Sequence, residues 1–246
     1  MNTFFVKHRL TSCTVDKELI AGIENFIVNE AKEYLSSVEV NGEAIGLDAP
    51  VEELLHIIIQ SKSGSDKLSS IADYIDPFLP DDVHTVIIDF NSYKNAFLNI
   101  RVVFHSSFSE HPVIEISMHG ENLRETAANF VSGINALVNK KRNNNHWFHN
   151  RTLLLSILFV YTLWNIMNFF MINFSQGSGP AVVYNNILYN FLFALLTVWI
   201  IFSIFMRPYI TFKTRRQGII TLGYSVFSLI YLLMVIVLFY TNFNKQ

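Results

Sequence analysis

Acidic residues are absent from this 246-residue chain beyond Glu125: all twenty Asp and Glu fall between Asp16 and Glu125. From Asn150 onward the charges are Arg151, Arg207, Lys213, Arg215, Arg216 and Lys245, so that part carries +6, whereas the preceding part carries −8. An acidic first half excludes nonspecific nucleic-acid binding, which needs basic surface to displace phosphate counterions. Cysteine is almost lacking too. Cys13 is alone, so no internal disulfide can form, and an oxidising compartment is not indicated. The amino-terminal stretch Met1–Ser12 has too short an apolar run for a secretion signal, so the first 150 residues are expected to stay in the cytosol.

Catalytic and ligand motifs are missing as well. The chain has no GxSxG, Walker loop, GxGxxG or HExxH, so neither an enzyme nor a cofactor is expected. The eight histidines show no close zinc-type spacing, and the acids Asp73, Asp76, Asp81 and Asp82 are interrupted by prolines and lack the periodic ligands of a calcium loop. Ordinary surface histidines and a solvated acidic loop are the simpler reading of both.

What the chain does have is long apolar runs. Thr152–Phe174 holds 23 residues without a charge. At about 1.5 Å per residue a helix of that length crosses a hydrocarbon layer of roughly 30 Å. Two further runs, about 184–206 and 219–240, have the same character. The loop between the last two, Arg207–Gly218, is basic, while Ser175–Val183 is uncharged. Basic loops stay on the cytoplasmic side, which predicts three passes of a bacterial inner membrane with the amino terminus inside and the carboxyl terminus outside.

The first 142 residues read as an α+β domain. Thr3–Leu10 is expected as a strand and Val15–Leu35 as an amphipathic helix capped by Thr14. Leu55–Gln60 follows as a strand, Ser61–Ser65 as a turn and Leu68–Ile75 as a short helix. Thr85–Asn91, Ala96–His105 and Pro112–His119 alternate apolar and polar residues, the mark of an antiparallel meander with one buried face. Glu121–Asn139 is a second amphipathic helix. The predicted architecture is therefore an antiparallel β-meander covered by two amphipathic helices (1–142), a juxtamembrane link (143–151) and a three-helix all-α transmembrane region (152–246).

Candidate functional residues are few. Asn165 and Asn168 share a face of the first crossing and Asn186 and Asn190 one of the second, with Asn168 and Asn190 at similar depth. They offer a polar path for an ion or solute, or, more simply, hydrogen bonds between helices; no ionisable group accompanies them in the crossings, which favours the second. Thr221, Ser225 and Ser228 line one face of the third crossing, where small hydroxyl residues permit close helix packing. Trp147, Arg151, Arg207, Lys213, Arg215 and Arg216 suit the headgroup layer, where they can grip anionic lipid or simply enforce topology.

The expected partners are the lipid bilayer and either further copies of this chain or another membrane or cytosolic protein. The layout resembles in general form the membrane-disrupting effectors of bacterial stress and phage defence, an analogy of architecture alone. The competing expectations are an oligomeric channel or transporter subunit, since three helices are too few to enclose a pore, and a membrane-tethered enzyme with an unfamiliar site.

Overall fold

The computed structural model describes residues 2–40, 43–44, 50–92, 97–106, 111–120, 122–145 and 209–216, with helical positions 156, 159–164, 166–167, 219, 222–223, 225–226, 229–231 and 233. The first unit, Met1–Asn145 with Pro208–Gln217, is an α+β structure. Its strands and helices run β1 (Asn2–Arg9), β2 (Thr14–Val15), α1 (Lys17–Ser37), β3 (Glu39–Val40), β4 (Glu43–Ala44), β5 (Leu55–Ser61), β6 (Gly64–Leu68), β7 (Val83–Asn91), β8 (Leu98–His105), β9 (Val113–Gly120), α2 (Leu123–Lys140) and β10 (Thr211–Phe212).

The expected meander is the middle of a larger sheet. Six strands pair antiparallel in the order β1-β9-β8-β7-β5-β6. The amino-terminal strand joins by lying against β9, whereas β6 joins as the second arm of a hairpin from β5. Period-two burial along β8 and β9 sends Leu98, Ile100, Val102 and Phe104, then Ile114, Ile116 and Met118, to one face. That face meets Ile20, Ile23 and Ile27 of α1 and Phe130, Ile134 and Val138 of α2 in one continuous core. The helices touch each other as well, with Phe26 of α1 edge-on to Phe130 of α2 at 6.2 Å.

Three local expectations are corrected. Thr14 does not cap α1: Asp16 does, accepting from the Leu19 amide at 2.8 Å, and the helix starts at Lys17. Thr14 is instead drawn into β2, because a strand partner exists for it elsewhere in the chain. The expected helix over Leu68–Ile75 shrinks to the 3-10 turn Ile71–Asp73, closed by a capping box between Ser70 and Asp73. Only Lys62–Ser63, the tip of Ser61–Ser65, is a turn; Gly64, at φ +158°, opens the strand, and Gly64–Leu68 continues as an exposed edge strand that polar residues concealed.

The second unit is His146–Arg207 with Gly218–Gln246. Among the described residues no helix is long and apolar enough to cross a membrane; most positions of the three expected crossings lie outside the described residues. Those described are helical, and Phe159, Met167, Ile219, Leu222, Leu229 and Leu233 expose their side chains widely.

Candidate functional site

The feature that sequence reasoning missed is where residues 209–216 go. Tyr209–Phe212 (YITF) alternates bulky apolar residues with a β-branched one, a strand signal inside a loop that otherwise reads as basic. In the structure Ile210 and Phe212 are buried in the core of the α+β unit, at 0% and 4% exposure. Thr211–Phe212 pairs in parallel with Thr14–Val15. The Thr211 amide donates to the Cys13 carbonyl at 3.1 Å and the Lys213 amide to the Val15 carbonyl at 2.9 Å.

The other side of the same short strand holds the carboxyl end of α2. The Thr14 amide donates to the Lys141 carbonyl at 2.9 Å, and the Asn143 amide to the Ser12 carbonyl at 3.2 Å. Ser12–Val15 is thus a central ply between Lys141–Asn143 and Thr211–Lys213. Asn145 reaches across directly, its side-chain amide donating to the Thr211 hydroxyl at 3.0 Å. By chain connectivity, the first ply leads into the first apolar run, and the second lies between the second and third runs.

Electrostatics reinforce this junction. Asp16 is nearly buried, and while one carboxylate oxygen caps α1 the other accepts from Lys141 at 3.0 Å. Lys141 also bonds Glu18, and these two hydrogen bonds, to Glu18 and then Asp16, hold its ammonium above the ordinary lysine range. Cys13 is fully buried; burial first, and the Asp16 charge second, push its thiol up to about 12. It is therefore an inert packing group and no nucleophile at neutral pH. Tyr209 stands edge-on to His111 at 4.5 Å, and burial raises its phenol above the usual value.

Acids of the Asp76–Asp82 loop receive the far end of the segment. Arg215 pairs with Asp76 at 3.2 Å, and the Arg216 amide donates to Asp81 at 2.9 Å. Leu79, buried between them, donates its amide to the Lys213 carbonyl at 3.3 Å. Asp82 instead accepts from the Ser63 amide at 3.0 Å, and Asp73 closes its own capping box. The acidic loop is thus partly a receptor for a distant basic segment.

Of the residues singled out in the sequence, Lys213, Arg215 and Arg216 belong to this docked segment, their side chains exposed. Ser225 occupies an exposed helical position. Asn165, Asn168, Asn186, Asn190, Thr221, Ser228, Trp147, Arg151 and Arg207 lie outside the described residues. Among the described residues no cluster of His, Cys, Asp or Glu is arranged to hold a metal ion. A shallow, open groove of about 380 Å³ runs between Lys17, Glu24 and Asn25 of α1 and Ser70–Ala72. Glu24 is engaged there by the Ile71 amide at 3.1 Å, so the groove presents no convergent set of reactive groups. Comparison with protein-family models, with curated proteins and with solved structures finds no match to this chain.

Proposed function

We propose that this chain is a three-pass protein of a bacterial inner membrane whose cytosolic α+β unit is a binding, sensing or self-association module that acts on its own membrane helices. The observation that carries this reading is the docking of Ile210–Thr214 beside Ser12–Val15. A loop between two apolar runs is built into the unit that precedes all of them, which supports a topology with loop and unit on one aqueous side. The basic character of that loop favours the cytoplasmic side. Exposed Phe159, Leu163, Ile166 and Met167, and exposed Leu222, Val226, Leu229 and Leu233, recur at three- and four-residue steps, as lipid-facing helix stripes do.

The mechanism follows from the plies. A ligand or partner that shifts α1 or α2 acts on Asp16 or Lys141, which hold the central strand in place. The strand in turn holds the link to the first crossing and the loop before the third. Such a module would control helix packing, and its output would be altered membrane permeability, as in an effector of stress or phage defence.

The test is labelling of single-cysteine variants in intact bacteria with a membrane-impermeant maleimide. Ser178→Cys and Gln246→Cys are expected to label from outside, and Asn25→Cys and Lys213→Cys only after lysis. External labelling of Asn25→Cys, or a silent Ser178→Cys, would end the proposal. Expression of the full chain is further expected to discharge a potential-sensitive dye, and an unchanged potential would remove the permeability output.

A further inference from the structure

The helices cover one face of the six-stranded sheet, and among the described residues the other face carries none of the core. Strand register sets out two rows across it. One is charged and alternates in sign: Lys7 on β1, Glu115 on β9, Arg101 on β8 and Asp89 on β7. Beside it runs an apolar row, Val113 on β9, Val103 on β8, Ile87 on β7 and Ile58 on β5. Ile87 is only 6% exposed although it lies outside the main core; Val113, Val103 and Ile58 are half-buried.

Within one copy the alternation stabilises the sheet, as the Lys7–Glu115 pair at 2.7 Å shows. A row of four alternating charges has a second property. Turned by a two-fold axis parallel to the strands and passing between β9 and β8, it presents Lys7 to Asp89 and Glu115 to Arg101 of a second copy, four opposite-sign contacts in all. The same operation sets Val113 against Val103 of the second copy and Ile87 against Arg9, which continues that row on β1. Moving the axis onto a strand stacks like on like. Moving it one strand further, between β8 and β7, lays the four apolar residues on one another and keeps Arg101 on Asp89, but sets Glu115 opposite His56 and gives Lys7 no acidic counterpart, so two rather than four opposite-sign contacts between full charges remain.

We propose that this open sheet face binds the same face of a second copy about that axis, giving a closed two-fold dimer of the α+β units. The proposal deepens the self-association reading of the unit and rests on it, but it is tested separately from membrane topology. Phe5 and Asn91 share a third row of the face and come opposite each other across the axis. Sheets packed face to face lie about 10 Å apart, so cysteines there meet within reach of a one-carbon bis-methanethiosulfonate linker. In one copy the two positions are three strands, about 14 Å, apart and out of its reach.

The experiment uses the full chain in nanodiscs carrying Phe5→Cys and Asn91→Cys. A covalent dimer is expected, with none from the parent chain, whose Cys13 is buried. Adding Lys7→Glu or Asp89→Lys is expected to lower the yield at limiting protein about tenfold. Adding both restores it to within about twofold, because each reversed charge again meets its opposite. Repair within one copy cannot mimic this, since the two sites lie further apart than the roughly 8 Å screening length. Absence of the dimer, a ladder of larger species, or a double variant no better than the singles would each overturn the proposal.

Discussion

The docked segment can be released by one backbone change that leaves its packing intact. Lys213 points its side chain to solvent while its amide donates to the Val15 carbonyl at 2.9 Å, beside a side chain that is fully buried. Lys213→Pro deletes that donor and keeps the carbonyl that Leu79 uses. Leaving a buried acceptor without a partner costs about 1–3 kcal/mol. At about 1.4 kcal/mol per tenfold, the ratio of docked to undocked loop falls by a factor of roughly 5 to 150. Lys213→Ala removes the same charge and retains the amide, so it isolates the backbone term. The assay is hydrogen exchange by mass spectrometry on the full chain in nanodiscs. The Thr211 and Leu79 amides are expected to exchange faster by that factor in Lys213→Pro and at the parent rate in Lys213→Ala, with the β7–β8 amides unchanged in both. Equal protection in Lys213→Pro, or equal loss in Lys213→Ala, would show that backbone pairing does not hold the loop.

Further outcomes follow from the same geometry. Asp16→Asn keeps an acceptor for the Leu19 amide but loses the charge facing Lys141, whereas Asp16→Ala loses both; thermal melts are expected to show losses of about 1 and about 2–3 kcal/mol respectively. The Cys13 thiol stays protonated when folded, and the unfolded thiol ionises near its ordinary 9.0, so its contribution to stability is complete below that value and declines as pH rises towards about 12. Native protein at pH 8 is accordingly expected to resist iodoacetamide until denaturant is added. The two glycines at the α1–α2 contact should respond oppositely. A Cβ on Gly22 meets only Leu137 at 3.7 Å, so Gly22→Ala gains up to about 1 kcal/mol of helix propensity. On Gly133 it would lie 2.0 Å from the Phe26 ring, and Gly133→Ala is expected to lose about 1–3 kcal/mol in a denaturant titration.

Much of the α+β unit was legible in the chain because its periods are local. The two amphipathic helices and the three meander strands stand within two or three residues of where alternation and the 3.6-residue repeat put them. Strand β6 was hidden because an edge strand exposed on both faces needs no apolar alternation, and Gly64–Leu68 has none. The Asp16 cap was displaced by two residues in the sequence reading because Thr14 is an equally good cap by type; its backbone was claimed by β10, almost two hundred residues away.

Composition alone determined the division of the chain into an acidic α+β part and a part whose charges are all basic and whose runs are apolar, since burial in core or lipid follows from side-chain chemistry summed over a window. The sheet order and the partner of each short strand were decided by tertiary structure. A two-residue strand such as Thr211–Phe212 has too little hydrogen bonding to form alone, so only the groove beside Ser12–Val15, assembled from both ends of the first 145 residues, makes it a strand. The junction exists because those distant pieces meet, and no window of the sequence contains it.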